Sequence, residues 1–458
     1  FSGTISPPKG SKVNGTNKHM GGPTLDNRDS VGCERTDSGK PFSCVPLRWK
    51  TVPEYLQEAG ISWRVYQDKD NFGDDPLVMW KQYQTSAKKK GDLAQRGTSF
   101  PGLQKFFDDA RDGKLPEVSY IVAPMQLSEH PPYMPMDGAW IQGEVAKAVM
   151  HGKNWDSTAL IYSYDETGGW ADHVVSPYPP QSEESEWIED PYDKSNGITP
   201  IGPGFRLPFY IVSPWTSGGH VFTEHAAHES QIMFLEQWAL AHGKPFTSEE
   251  IPTWRREQLS DLVKAFDFSS KDTSVPEVPH VRKPSQDIFT GHFNGADVCQ
   301  AIHLKKVQPD IPYKKLNPSN SMEVNKGFKR LRGDVTEGRR LTFEAHNRAL
   351  SHSGSKLKSS SSSKEHDQKD QLFVVHWQGV NPKDNRFRIA TTDQLYITKS
   401  LSLSKNEEKA ALFSLKDMGN GVGYSISELD SGKRLQLNED GSVALGGDTY
   451  FQIYSVTL

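Results

Sequence analysis

Tyr164-Asp165-Glu166-Thr167-Gly168-Gly169-Trp170-Ala171-Asp172-His173 is the stretch of this 458-residue chain richest in groups that do chemistry. Two adjacent carboxylates followed by two glycines suit a hard metal ion, because carboxylate oxygens are hard ligands and glycine lets the backbone approach closely. Asp172 and His173 follow one loop later, within reach of the same place. A second stretch is Ser128-Glu129-His130-Pro131-Pro132, where a histidine in a rigid loop can hydrogen-bond a phosphate or donate a proton. The third is His225-Ala226-Ala227-His228-Glu229-Ser230. Its two histidines are three apart and are expected to share a helix face at a helix start, where an anion such as phosphate is favoured. Each stretch also has an ordinary reading: a solvated acidic pair, a turn histidine, a capping and packing pair.

The elements that must position these groups can be read from patterning. Thr51-Val52-Pro53-Glu54 has the form of a capping box with an early proline, and Gly60 stops the helix it opens. Strands are expected at 62–66, 118–122, 158–164 and 209–212. Thr158 to Tyr164 has so little polarity that it reads as a strand buried on both faces. Helices are expected over 139–150, with Ile141, Val145 and Val149 on one face, and over 230–242, closed by Gly243. Alternating β and α segments predict a mostly parallel sheet flanked by helices. The Asp165-Glu166 and His130 stretches both follow strands, and in open α/β sheets ligands bind beyond the carboxyl ends of strands.

After Phe268 the pattern changes. Residues 271–370 carry no clear element and read as an irregular connector. Residues 305–340 hold ten Lys/Arg against four Asp/Glu, and 351–363 is a Ser-rich run typical of a flexible linker. Anionic lipid headgroups are the specific ligand such a basic stretch would suit. From 371 to 458 short alternating segments, with Asp430-Ser431-Gly432-Lys433 and Glu439-Asp440-Gly441-Ser442 as hairpin turns, predict a small all-β domain.

The bulk numbers exclude some classes. A net charge of −5 gives no electrostatic case for nucleic-acid binding. No stretch is apolar for long enough to suggest a membrane-spanning helix. There is no G-x-S-x-G elbow, Walker loop, H-E-x-x-H or C-x-x-C, so hydrolase-elbow, nucleotide-cofactor and common zinc readings lack their motifs. Cys33 and Cys44 lie in one Gly/Ser/Pro-rich loop and can pair, which leaves Cys299 unpaired. Asn14-Gly15-Thr16 is a glycosylation sequon of low specificity.

Taken together, these stretches resemble the phosphoesterase family of phosphatidylcholine-preferring phospholipases C of bacteria and fungi, plant non-specific phospholipases C and related acid phosphatases. The matching residues are Phe1 to Pro7, Gly21-Gly22-Pro23 with Asn27, and Ser62 to Asp68 with Asn71-Phe72. Ser128 to Pro132, Tyr164 to His173, Ser213-Pro214-Trp215 with Gly218-Gly219, His228-Glu229-Ser230 and Leu262 to Phe268 complete the series. The match covers residues 1 to about 268 and is fungal-like. It implies an alkaline-phosphatase-like α/β/α sandwich over 1–270 and hydrolysis of a phosphoester assisted by a divalent metal, whether Mg, Ca, Mn or Zn. By carry-over, Asp165 and Glu166 are metal ligands. His130, His173 and His228 are catalytic groups at the phosphate, and Asp172 and Trp170 bind substrate. The nucleophile and a Glu-Asn ligand pair are expected upstream of Phe1, so the chain reads as N-terminally truncated and weak in turnover by itself. Asp often precedes the third histidine in the family; Ala227 stands there, which removes a side chain that would orient His228. The implied substrate is a phospholipid met transiently at a membrane surface, with no nucleic acid and no obligate protein partner, and the implied location is extracellular. The other readings are an acid phosphatase of the same family and an inactive lipid- or glycan-binding protein.

Overall fold

Thr51 opens the first helix as its capping box predicts. Its backbone N–H and its hydroxyl both donate to Glu54 Oε2, at 2.8 and 2.9 Å, and Gly60 beyond the helix end takes a φ of +70°. The computed structural model describes residues 1–4, 32–35, 41–69, 71, 73–168, 176–190, 193–304 and 326–458. The chain divides into two compact units: the first from 1–214, 227–257 and 273–304, the second from 215–226, 258–272 and 326–458.

In chain order the first unit has strands β1 (Gly32–Arg35), β2 (Pro41–Val45), β3 (Trp63–Gln67), β4 (Val118–Val122), β5 (Leu160–Ser163), β6 (Trp187–Glu189), β7 (Ile198–Pro200) and β8 (Phe209–Val212). Its helices are α1 (Val52–Glu58), α2 (Lys81–Lys89), α3 (Asp92–Gly97), α4 (Leu103–Asp112), α5 (Pro135–Met150), α6 (His228–Ala241), α7 (Thr253–Gln258) and α8 (Gly295–His303). β3 and β4 run parallel in register from Trp63↔Val118 to Gln67↔Val122. The expected face of α5 is buried: Ile141, Val145 and Val149 pack with Phe106 of α4, Tyr66 of β3 and Leu160 of β5. β1 and β2 form an antiparallel ribbon whose register sets Cys33 opposite Cys44. Cys299 is unpaired and half-buried.

Two expectations for this unit need correction. The sheet is not mostly parallel among the described residues, because β5 pairs antiparallel with β8, from Leu160↔Val212 to Ser163↔Phe209. Nor is β5 covered on both faces. Only Leu160 is buried, and Ile161 and Tyr162 are half-buried. The low polarity of this segment serves a strand with one described neighbour, and Tyr162 meets its polar need by donating its hydroxyl to Gln142 O at 2.6 Å. The unit is mixed α/β.

The second unit is strand-rich: β9 (Val221–Phe222), β10 (Gly327–Arg332), β11 (Arg340–Ala345), β12 (Arg348–Ser353), β13 (Lys356–Ser361), β14 (Phe373–Trp377), β15 (Phe387–Thr391), β16 (Tyr396–Ile397), β17 (Leu403–Ser404), β18 (Phe413–Asp417), β19 (Tyr424–Glu428), β20 (Leu435–Leu437), β21 (Val443–Leu445) and β22 (Gln452–Thr457). Its pairings repeat three times. Leu341 of β11 pairs with Phe373 of β14, Phe387 of β15 with Phe413 of β18, and Tyr424 of β19 with Phe451 beside β22. Long antiparallel ladders join β14 to β15, β18 to β19 and β22 to β11, which closes a six-stranded barrel. The pairs β12–β13, β16–β17 and β20–β21 are the three remaining hairpins. This is a β-trefoil topology. Phe373, Phe413 and Phe451 hold equivalent places in its core, and none has exposed surface.

The connector expected over 271–370 is therefore not a linker from 327 onward, and the all-β domain does not begin at 371. The Ser-rich run lies in β12 and β13. In β13, Leu357 and Ser359 point inward while Lys356 and Lys358 are exposed. Arg348 donates to the hydroxyl and carbonyl of Ser359, both at 2.5 Å, so an inward serine is satisfied. The strand alternation is real, but its inward positions include small hydroxyl residues, and composition alone hides it. The 1–270 boundary also shifts, because 215–226 and 258–272 belong to the second unit. Among the described residues no helix is long and apolar enough to cross a membrane.

Replacing one core phenylalanine of the barrel tests the threefold reading. Phe413→Ala is expected to cost about 3–5 kcal/mol, and Phe373→Ala and Phe451→Ala about the same. Native-state hydrogen exchange at the Leu415 and Ile426 amides measures it; a cost confined to one of the three variants would contradict equivalence.

Candidate active site

Because β3 and β4 are parallel neighbours, their carboxyl ends open at the same edge. The loop after β3 carries Asp74 and the loop after β4 carries His130. The β3 loop is held from beneath. Gln67 donates to Asp75 Oδ2 at 2.7 Å and to Gly97 O at 3.3 Å, and Asn71 donates to Gln67 Oε1. Asp75 Oδ1 accepts from the Leu77 amide at 3.1 Å. Asn71 Oδ1 takes the Gly73 amide at 3.1 Å, and Asn71 O takes the Asp74 amide at 3.0 Å. Asp75 is buried and its carboxyl is pushed up to about 6 by that burial, which the bonds from Gln67 and Leu77 only partly offset. Asp74 is thus set on a fixed loop.

Asp165 and Glu166 sit two and three residues past β5, and both are exposed. Asp165 Oδ1 accepts the Glu166 amide at 2.9 Å, and Glu166 Oε2 accepts the Gly168 amide at 2.7 Å. Gly168 has a φ of +63°, a region that favours glycine, so the first glycine of the motif is needed where it stands. Asp74 senses the pair. Its carboxyl is pushed up to about 6 first by burial, then by the negative Asp165 and Glu166, while His130 pulls the other way. Asp74, Asp165, Glu166 and His130 therefore share one neighbourhood.

Tyr164 links the remaining groups. His228 Nε2 lies 2.8 Å from Tyr164 O, and a carbonyl only accepts, so Nε2 carries the proton. The Tyr164 hydroxyl donates to Glu129 Oε1 at 2.9 Å, and Gln142 donates to that hydroxyl at 2.6 Å and to the same Glu129 oxygen at 2.9 Å. Burial pushes the Tyr164 phenol up to about 12 and raises the Glu129 carboxyl, which the two donors stabilise. Glu129 takes a φ of +68°, an uncommon setting for a non-glycine residue, beside His130. His130 donates from Nδ1 to Pro131 O at 2.7 Å, so this nitrogen carries a proton.

α6 begins at His228, so His225 precedes the helix and the two histidines do not share a helical face, contrary to expectation. Ala227 offers no side chain to orient His228, and other groups order this turn. Tyr164 O orients the His228 ring, and Ser230 Oγ accepts the Ala227 amide at 3.1 Å. Next to His228, Glu229 is buried and accepts from Arg255 Nη1 at 2.5 Å. Arg255 binds Glu186 through Nε and Nη2, both at 2.7 Å. Burial works against the Arg255 charge, but the two carboxylates more than offset it.

The structure thus brings together His130, His228, Asp165 and Glu166. Trp170, Asp172 and His173 lie outside the described residues. Sequence reasoning gave no role to Asp74, Glu129, Tyr164, Gln142 or Arg255. A signal for Asp74 was present: Asp74-Asp75 follows β3 as Asp165-Glu166 follows β5. The exposed carboxylates have the donor chemistry that suits a hard divalent cation, and such an ion would relieve their mutual repulsion. Among the described residues, no three His, Cys, Asp or Glu side chains are disposed to hold a metal ion.

The profile described as "Phosphoesterase family" matches residues 2–240. The chain is 35% identical over 263 residues to the non-hemolytic phospholipase C of Burkholderia pseudomallei, covering 50% of this chain and 37% of that protein. It is 33% identical over 345 residues to the non-hemolytic phospholipase C of Pseudomonas aeruginosa, covering 71% of this chain and 46% of the other. Non-specific phospholipase C6 of Arabidopsis thaliana is 32% identical over 253 residues, covering 49% of this chain and 46% of its own. The chain spans less than half the length of these three relatives.

Two outcomes follow from this geometry. Arg255→Met strands two buried carboxylates and is expected to cost about 3–5 kcal/mol in urea unfolding at neutral pH. Arg255→Lys should recover part of that; a loss below about 1 kcal/mol for Arg255→Met would show the bridge to be idle. The second outcome concerns Asp74, whose folded value lies above its ordinary 3.8. The unfolded chain loses this proton first, so stability falls as pH rises from about 4 to about 6 and stays lower above that. In metal-free buffer Asp74→Asn is therefore expected to raise Tm at pH 8 and leave it unchanged at pH 4, read by calorimetry.

Proposed function

This chain belongs to the phosphoesterase family, and from that premise we propose that it hydrolyses phosphoric esters as a phospholipase C, releasing diacylglycerol and a phosphorylated headgroup from a phosphatidylcholine-like glycerophospholipid. The observation that carries this reading is the convergence on Tyr164 of His228, the Glu129–His130 loop and the Asp165-Glu166 pair, three segments remote in sequence. An alkaline-phosphatase-like sandwich is part of the proposal, supported by the parallel β3–β4 pair whose loops carry Asp74 and His130.

In this reading Asp165 and Glu166 would hold a divalent metal, with Asp74 beside them. The bound ion would offset the charge that develops on the phosphoryl oxygens. His130 and His228 face the phosphate, and one of them supplies the proton that the leaving diacylglycerol oxygen needs. His173, Asp172 and Trp170 complete the site as a third phosphate histidine and substrate contacts. The proposed setting is extracellular, with phospholipid as substrate, transient contact with its surface, and neither nucleic acid nor an obligate protein partner.

The test is hydrolysis by the full-length protein of phosphatidylcholine and of p-nitrophenyl phosphate, with and without EDTA. Preference for the lipid and loss of activity in EDTA are expected. His228→Ala should lower kcat about 10²–10⁴-fold, and Asp165→Asn should mimic EDTA. Preference for the monoester would make the protein a phosphatase instead. Activity indifferent to EDTA and to Asp165→Asn would overturn the metal assignment.

A further inference from the structure

Ile288 and Phe289 are 88% and 89% exposed, on adjacent positions of one turn. Two large apolar side chains held this far into water need a structural reason, since isolated exposed apolar residues are ordinary but a projecting pair is not. The turn that carries them is built from polar bonds alone. Asp287 Oδ1 accepts from the Phe289 amide at 3.0 Å, the Thr290 amide at 2.8 Å and the Thr290 hydroxyl at 3.0 Å. Asp287 N donates to His292 O at 2.9 Å, Gly291 N donates to Asp287 O at 2.8 Å, and Gln286 Nε2 donates to Gly291 O at 3.0 Å. Gly291 adopts a φ of +74°, which the chain reversal requires. These bonds fix the backbone that carries the pair.

The hairpin is also firmly mounted. The Phe293 ring packs on Trp140 of α5 at 5.5 Å between centroids. α8 starts at Gly295, where a Cβ would come within 2.1 Å of Asp137 Oδ2, so only glycine allows this close seating. α5 is the helix that directly follows the His130 loop, and its exposed Met136 lies in the first turn. Beyond the hairpin, α8 leaves Val298 and Ile302 exposed one turn apart, followed by Leu304. Arg282 and Lys283, both exposed, precede the hairpin. Projecting apolar residues flanked by cations match a surface that is apolar within and anionic at its face.

We propose that the segment 285–304 is an interfacial docking element, which seats Ile288 and Phe289 among the acyl chains of a phospholipid surface whose anionic headgroups meet Arg282 and Lys283. Its purpose rests on the phospholipase reading, because it would bring the lipid surface to the helix that follows His130. Its physical basis does not, and binding is measurable without turnover.

The experiment is cosedimentation of the full-length protein with phosphatidylcholine vesicles and with vesicles that also contain phosphatidylserine, in EDTA. Wild type is expected to bind, and better to the anionic vesicles. Ile288→Ser with Phe289→Ser should lower partition about tenfold or more, the effect of withdrawing even one large apolar side chain from an apolar phase. Arg282→Gln with Lys283→Gln should remove the preference for phosphatidylserine. Hydrolysis of a water-soluble p-nitrophenyl phosphoester, assayed with metal, should be unchanged in both variants. Wild type that does not bind vesicles, or a serine variant that binds equally well, overturns the proposal. So does concentration-dependent self-association that the serine variant abolishes, since the face would then be a contact between copies. Vesicle binding that follows these expectations in a protein inactive on every phosphoester would sustain the docking element and remove the phospholipase reading.

Discussion

Tyr164 faces three ways at once. Its carbonyl oxygen accepts a hydrogen bond from His228 Nε2, its hydroxyl is shared with Glu129 and Gln142, and its own peptide leads to Asp165. Each of these bonds contributes only about 1 kcal/mol net, but a half-buried partner left unmet costs more than the bond gains. The positions of His228, of the loop that carries His130, and of the acidic pair are therefore set together. β5 gives Tyr164 its direction, through the Ser163↔Phe209 pairing and the 3.4 Å bond from Tyr164 N to Pro208 O. Arg255 acts on the same assembly from the helix side, where it fixes Glu229 beside His228.

What could be read in advance was the placement of polar residues just past strands. That rule found Asp165, Glu166 and His130, because it depends only on a local change from apolar run to polar loop. It gave no role to Asp74, whose acidic pair looks solvated until the Gln67–Asp75 bond shows that one member anchors the loop and leaves the other to the site. It also had no access to the way His228 is oriented. The family resemblance pointed to a lost carboxylate at Ala227, yet a backbone carbonyl from a segment 64 residues away does that work. Backbone acceptors have no signature in a sequence. Helix boundaries are weak signals too, and a start at His228 instead of His225 was enough to undo an expected pair.

The C-terminal half shows the opposite failure. Composition pointed to a linker where alternation, read strictly, pointed to strands. In β13 the inward places are held by Leu357 and Ser359 and the outward ones by Lys356 and Lys358. A serine can take a core-facing place when its hydroxyl is bonded, as Ser359 is by Arg348. The threefold repeat is equally hidden. The three barrel pairings join Leu341, Phe387 and Tyr424 to three phenylalanines, so what is conserved between repeats is volume and register instead of residue identity.

The hairpin at 285–294 breaks the same rules in a way that carries meaning. Where local and global preferences disagree in a folded chain, the disagreement tends to mark function. Here the conformation is set by Asp287 and Gly291 and the mounting by Phe293 and Gly295, none of which requires Ile288 or Phe289 to touch the protein. Folding draws nothing from these two side chains. Their apolar surface is not buried in the described core of the first unit, and an apolar phase outside it can use that surface.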